Sequence, residues 1–76
     1  MKLSYSQRIL MFLAEQERTN GNAVFNMQVA KRRFRNVGDI DGSVMRRARE
    51  LASSKMLKRT PDGFTLTARG RKEAVK

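Results

Sequence analysis

The stretch SVMRRARELASSKML, residues 43–57, decides how the rest of this sequence is interpreted. At about 100° per residue, its apolar side chains fall on one side of an α-helix. This apolar stripe consists of Val44, Met45, Ala48, Leu51 and Ala52. Three of the four positions from Arg46 to Arg49 are arginines, and they fall outside the stripe. The stretch therefore predicts an amphipathic helix with a buried apolar side and a basic outer face.

The polar residues of this helix divide between the centre and the flanks of the outer face. Arg46 lies near the centre, opposite the apolar stripe, with Ser43 and Glu50 beside it. Arg47 and Arg49 lie on the two flanks. The arginines are therefore predicted to leave the core and to face solvent or a ligand.

Beyond this helix the pattern changes to that of a β-hairpin. Two short β-like runs, MLKRT (56–60) and GFTLT (63–67), are joined through the turn sequence PDG. Pro61 fixes φ at the first central position of a turn, Asp62 accepts local hydrogen bonds, and Gly63 permits a positive φ. The sequence therefore predicts two antiparallel strands with a tight turn.

The second strand leads into a short last helix. Strand alternation places Phe64 and Leu66 on the same face, which we assign to the core. Thr67 can cap a helix that runs from Ala68 to about Val75.

Two capping signals predict helices in the first half of the chain. SYSQ (4–7) has the form of a capping box, and the first helix is predicted from Tyr5 to about Arg18. Asn26 can cap a second helix with the sequence MQVAKRRF (27–34).

Irregular segments separate these helices. TNGN (19–22) is a turn cluster, and AVF (23–25) favours a β-bridge or a short strand. Before the basic helix, Asp39 and Asp41 can each accept hydrogen bonds from its free amides, and the sequence does not choose between them.

Composition limits the classes of protein to which the chain can belong. Its 76 residues correspond to one domain, residues 1–76, and 39% hydrophobic residues suffice for a small core. The 17 Lys and Arg against 7 Asp and Glu give a net charge of +10, of which +9 falls in residues 31–76. This excess indicates a polyanionic partner, with nucleic acid the common one. The alternative is a charged surface that only keeps the protein in solution.

The chain contains no cysteine and no histidine. This excludes thiolate and imidazole metal sites, Ser-His-Asp triads, cysteine nucleophiles and disulfides. We therefore expect a protein that is not an enzyme and that has no cofactor or metal. The longest apolar run, ILMFLA (9–14), is too short to span a bilayer, and no signal-peptide pattern precedes it. The expectation is a cytoplasmic protein without a membrane partner.

The order of elements resembles the winged helix-turn-helix DNA-binding domains of small prokaryotic and phage regulators. The resemblance covers nearly the whole chain, and two segments carry it most specifically. RRARELASSKMLKR (46–59) is similar to a recognition helix running into a wing, and FTLTARGRK (64–72) is similar to a Leu-Thr-x-x-Gly-Arg ending. The implied fold is α+β, mostly α, with a three-helix core, a β-hairpin wing and a short C-terminal helix.

The chain departs from this family at the end of the third helix. Lys55 stands where these domains often have a glycine in a left-handed turn. A residue with a Cβ costs roughly 1 kcal/mol in that conformation. The sequence leaves open whether the helix ends in the same turn.

The resemblance implies that helix 43–54 enters the major groove of double-stranded DNA and that hairpin 57–67 contacts a neighbouring groove or the backbone. Arg46 is suited to reading guanine through two hydrogen bonds, or it forms a surface pair with Glu50. Ser43 reaches a base edge or a phosphate, or it caps the helix. Arg47 and Arg49 are assigned to phosphates, with core coverage by the stem of Arg49 as the alternative.

Two further basic clusters extend this predicted DNA surface. The second basic cluster consists of Lys31, Arg32 and Arg35, which either clamp the DNA backbone or form a solvated helix end. The third basic cluster consists of Lys58, Arg59, Arg69 and Arg71. Because Lys58 and Arg59 alternate along a strand, at most one of them can lie directly on DNA.

The function predicted from these features is sequence-specific binding of double-stranded DNA by a small transcriptional regulator. Two alternatives remain: another nucleic-acid role, such as RNA binding, DNA packaging or replication, and a winged helix that binds and modulates a host or partner protein. The sequence also leaves open whether the protein forms a homodimer on DNA or pairs through its first helix.

Overall fold

The computed structural model describes residues 4–21 and 23–74. Its elements in chain order are α1 (Tyr5–Asn20), α2 (Met27–Arg33), a π-helical turn (Asp41–Met45) continuing into α3 (Arg46–Ser53), β1 (Leu57–Thr60), β2 (Gly63–Leu66) and α4 (Ala68–Ala74). This confirms the predicted class, α+β and mostly helical, with one antiparallel hairpin. The predicted end of the last helix at Val75 falls outside the described residues.

The capping residues of the first two helices are those predicted from the sequence. The Ser4 hydroxyl accepts a hydrogen bond from the Gln7 amide at 3.2 Å, and the Asn26 side chain accepts one from the Val29 amide at 3.0 Å. α1 extends two residues beyond the predicted end, because the turn begins only at Gly21. With φ of 81°, Gly21 adopts the left-handed conformation, and its amide closes the helix on the carbonyl of Glu17 at 2.9 Å.

The start of the third helix resolves the choice between two aspartates. The Asp39 carboxylate accepts a hydrogen bond from the Gly42 amide at 3.0 Å, so Asp39 is the cap and Ser43 is not. The helix then begins with the π-helical turn, whereas the sequence predicted a regular helix from Ser43. The predicted stripe is confirmed: Ala52 is half-buried, and the other four residues, Val44, Met45, Ala48 and Leu51, are buried.

The third helix ends in the left-handed turn despite the absence of glycine. Lys55 has φ of 68°. The Met56 amide donates to the Leu51 carbonyl at 2.9 Å, and the Lys55 amide donates to the Ala52 carbonyl at 3.1 Å. These two bonds form the helix-ending motif that a glycine normally supports. Lys55 therefore occupies the glycine position and retains its conformation.

The hairpin has the predicted turn and the predicted buried face. Thr60 pairs with Gly63 across the two-residue loop, and Phe64 and Leu66 are buried. Gly63 has φ of 144°, and a Cβ there would lie 2.5 Å from the carbonyl oxygen of Phe25. Phe25 and Phe64 exchange two backbone hydrogen bonds of 2.8 Å, which confirms the bridge predicted within residues 23–25.

The backbone of Asp62, in the hairpin turn, links the hairpin to the second helix. Its carbonyl accepts a hydrogen bond from the Asn26 side-chain amide at 3.2 Å. The same Asn26 side chain caps α2 through its oxygen. Asn26 therefore ties the turn of the hairpin to the start of the second helix.

α4 is fastened to the end of the third helix. The Thr67 hydroxyl accepts from the Gly70 amide at 3.1 Å, which confirms the predicted cap, and donates to the Lys55 carbonyl at 2.6 Å. A Cβ at Gly70 would overlap the carbonyl oxygen of Met56, so only glycine permits this approach. These contacts explain why Thr stands at position 67 and Gly at position 70.

The core lies between the helices and the inner face of the hairpin. Its most deeply buried large side chains are Phe25, Ile9, Leu13 and Val44. The Phe25 ring meets those of Phe12 and Phe34 edge-on, with centroids 6.4 and 6.3 Å apart. Among the described residues, no polar or charged residue is buried. All the charge of this part of the chain therefore lies at its surface.

The strain at Lys55 generates a stability prediction. We expect Lys55→Gly to raise the free energy of unfolding by about 0.5 to 1 kcal/mol, because glycine adopts the left-handed conformation without a Cβ clash. Lys55→Ala is the matched control, since it removes the same charge and keeps the Cβ. Denaturant unfolding of both variants measures the difference. Equal stabilisation by alanine would mean that charge, and not backbone conformation, governs this position.

Candidate nucleic-acid interface

The α3 outer face comprises the side chains of Ser43, Arg46, Arg47, Arg49 and Glu50. Packing of Val44, Ala48 and Leu51 into the core turns the four charged residues of this face toward solvent. The Arg46 side chain is 70% exposed, against 49% for Arg47 and 48% for Arg49. Arg46 is therefore the most exposed arginine of the face, as its central position on the helix predicts.

Glu50 interacts with two arginines of the face, and unequally. The Arg47 guanidinium donates to its carboxylate at 2.8 Å, whereas the Arg46 Nε lies 3.9 Å from the second oxygen. Arg46 therefore does pair with Glu50 at the surface, which was the predicted alternative to base reading. The distance of 3.9 Å is close to the maximum for an ion pair. Arg47, which sequence analysis assigned only to phosphate, is the tighter partner.

This arrangement changes the ionisation of Glu50. The hydrogen bond from Arg47 is the main reason that the pKa of Glu50 is lowered. Desolvation opposes this effect, and the positive charges of Arg47 and Arg46 add to it. Glu50 is therefore ionised at neutral pH and neutralises part of the arginine charge of the face.

Arg49 and Ser43 lie at the edges of the face. Arg49 reaches back to the start of the helix, with Nη1 3.5 Å from the Asp41 carboxylate and Nη2 3.4 Å from the Asp41 carbonyl oxygen. Asp41 therefore pairs with Arg49, while Asp39 caps the helix. Ser43 is half-buried in the π-helical turn, and its amide donates to the Asp39 carbonyl at 3.0 Å.

The second basic cluster is less compact than the sequence suggests. Lys31 and Arg32 belong to α2, but the helix ends at Arg33 and not at Phe34 as predicted. Phe34 is buried at the helix end with φ of −120°, so Arg35 follows in the turn beyond it. Arg32 lines a cavity shared with α1. The three cations are all exposed, but they lie on different local structures.

The third basic cluster divides into different environments. Arg59 is paired across the hairpin with Phe64, and its guanidinium lies 5.8 Å from the Phe64 ring centroid. Lys58 is paired with Thr65 and therefore points to the opposite face of the hairpin. Of these two residues, Lys58 therefore points away from the core, as strand alternation requires.

The two arginines of α4 also lie in different environments. Arg69 is exposed in the first turn of α4. Arg71 donates two hydrogen bonds, of 2.8 and 3.0 Å, to the Glu17 carboxylate of α1. The hydrogen bond and charge of Glu17 raise the pKa of Arg71. Arg71 therefore serves the contact between α1 and α4.

Two other arginines form contacts that sequence analysis missed. The Arg8 guanidinium lies 4.6 Å from the Phe34 ring centroid, and that of Arg33 lies 4.7 Å from the Phe12 centroid. Both distances fall in the range of cation–π contacts. The sequence signal is weak, because Arg33 and Phe12 are far apart in the chain and only the fold brings them together.

Comparisons with protein-family models, curated proteins and solved structures found no match to this chain. Across residues 4–21 and 23–74, no helix has the length and apolar character required to cross a membrane. The same residues contain no group of three or more acidic side chains arranged to hold a metal ion.

The pairing of Glu50 can be tested by titration. We expect Arg47→Ala to raise the pKa of Glu50 toward the ordinary value for glutamate, and Arg46→Ala to raise it less, because Arg47 supplies the hydrogen bond. NMR observation of the Glu50 carboxyl carbon against pH measures both. The stabilisation from a lowered pKa is present above the ordinary glutamate pKa and is lost as pH falls through the lowered value. A larger effect of Arg46→Ala would contradict this assignment.

Proposed function

We propose that this protein is a winged helix-turn-helix regulator that binds specific sequences in double-stranded DNA. The single observation that carries the proposal is the α3 outer face. It presents a cluster of arginines on one side of a helix whose other side is buried, and a hairpin follows the helix directly. A major groove about 12 Å wide admits such a helix.

Arg46 is the proposed base-reading residue. Its side chain is 70% exposed, and its only ion pair among the described residues is the 3.9 Å contact with Glu50. An exposed pair of this kind contributes little to stability, so it offers little resistance to a ligand. A guanidinium can donate two hydrogen bonds to the O6 and N7 of guanine. Arg46 is therefore free to exchange its weak contact for a base.

Arg47 and Arg49 are the proposed phosphate contacts on the two flanks. Each is paired at the surface, Arg47 with Glu50 and Arg49 with Asp41. These pairs hold the guanidiniums in place on the free protein, and both acidic partners are themselves half or more exposed. We propose that a DNA phosphate competes with each carboxylate for its arginine. On binding, these arginines then exchange part of their pairing within the protein for contacts with phosphate.

The hairpin takes the role of the wing. Lys58, which points away from the core, is its proposed backbone contact, and Arg59 instead covers Phe64. Lys31, Arg35 and Arg69 are exposed and would add further phosphate contacts. Together these groups neutralise about five or six phosphates, which fixes the salt dependence of binding.

Salt titration of duplex binding tests the proposal. We expect the logarithm of the association constant to fall against the logarithm of salt concentration with a slope of about −5. Lys58→Ala should reduce the slope by about one unit, since it removes one phosphate contact. Fluorescence anisotropy with a labelled duplex measures these slopes.

Arg59→Ala is the matched control for that titration. It removes the same charge from the neighbouring position of β1, and we expect a smaller change in slope. No binding at low salt, or a slope near zero, would overturn the proposal of DNA binding. A slope for Lys58→Ala equal to that of the unaltered protein would remove Lys58 from the proposed contact surface.

A further inference from the structure

A second surface, separate from the α3 outer face, lies between α1 and α2. Two neighbouring cavities of about 330 and 190 Å³ share Phe12 and Arg33 as lining residues. We call this surface the α1–α2 groove. Its apolar floor is formed by Met11, Phe12 and Val29. Its basic rim is formed by Arg8, Arg32 and Arg33.

The apolar floor is open to solvent, and polar groups make up an equal part of the exposed lining of the groove. Met11 is 46% exposed and is the only large hydrophobic residue classed as exposed in residues 4–21 and 23–74. Phe12 and Val29 are half-buried beside it. Burial of such side chains against a ligand is favourable because it removes apolar surface from water. The floor therefore supplies binding energy for apolar side chains of a partner.

The rim carries a fixed positive charge. Arg33 stacks on Phe12 and Arg8 stacks on Phe34, which holds both guanidiniums close to the groove. The ion pairs observed among the described residues involve other arginines, namely Arg46, Arg47, Arg49 and Arg71. Glu15 is the one carboxylate that lines the groove, against three guanidiniums. The rim is therefore complementary to an acidic ligand.

We infer that the α1–α2 groove binds an acidic peptide segment of a partner protein. Aliphatic side chains of the peptide would cover Met11 and Val29, and its carboxylates would bond to Arg8 and Arg33. A stacked guanidinium keeps the N–H donors at its edge free for a bidentate bond to a carboxylate. The aliphatic part of the floor favours a peptide over nucleic acid, whose bases bind by stacking on open aromatic faces.

The groove can be tested separately from DNA binding. Arg8 and Arg33 do not belong to the proposed DNA surface, whereas Arg32 was assigned to both, so the test uses Arg8 and Arg33. Arg18 is an exposed arginine of α1 that lines neither cavity of the groove, but an adjoining cavity between α1 and α4 that also contacts Met11. Arg18→Ala is therefore the matched control for loss of positive charge.

The experiment selects ligands for the full chain from a random library of peptides about twelve residues long, at about 0.15 M salt. We expect enrichment of peptides that combine Asp or Glu with Leu, Ile, Met or Phe. For the best synthetic peptide, Arg8→Ala combined with Arg33→Ala should weaken binding by about tenfold or more. Arg18→Ala should leave the affinity nearly unchanged.

Two further measurements keep the test independent of the stability of the variant. Changing every Glu and Asp of the selected peptide to Gln or Asn should weaken its binding to the unaltered protein by about tenfold or more. A single-stranded oligothymidine serves as the competing ligand and should not displace the peptide. The inference is wrong if no acidic and apolar peptides are enriched, if Arg18→Ala weakens binding equally, or if oligothymidine displaces the peptide.

Discussion

The left-handed turn at Lys55 is the constraint on which the arrangement of the molecule depends. It ends the third helix through bonds to Leu51 and Ala52, and it places the Lys55 carbonyl where Thr67 can donate to it. Gly70 then packs against the neighbouring Met56 carbonyl. One turn thus fixes the directions of the helix, the hairpin and α4. The relative positions of the α3 outer face and of the hairpin follow from this junction.

The residues that hold the fold together differ from those that we propose to bind DNA. Among the described residues the core contains no charged side chain, and the ion pairs of Arg46, Arg47 and Arg49 lie at the surface, where such pairs contribute little to stability. The arginines can therefore exchange their partners without loss of the core. Arg71 differs, because its carboxylate partner Glu17 is only 21% exposed and belongs to another helix. It holds the fold, while Arg46 remains accessible.

Local patterns were sufficient to predict much of the fold. The caps at Ser4, Asn26 and Thr67 depend on residues three positions away, and the apolar stripe and hairpin depend on simple periodicity. The π-helical turn was not predicted, because the helical wheel assumes a regular helix. The pairing of Arg47 with Glu50 and the stacking of Arg33 on Phe12 depend on side-chain geometry and on contacts distant in sequence. The charge of the candidate site was therefore predictable, and its internal pairing was not.

We propose that Arg46 reads a base while its neighbours hold the DNA backbone. The most direct measurement is parallel selection of bound sequences from a random duplex pool by the unaltered protein and by Arg46→Ala. We expect the unaltered protein to enrich a motif containing guanine. Arg46→Ala should lose the preference at that base by about 1 to 3 kcal/mol and keep most of its non-specific affinity. Absence of any enriched motif, or enrichment of the same motif by Arg46→Ala, would contradict base reading by Arg46.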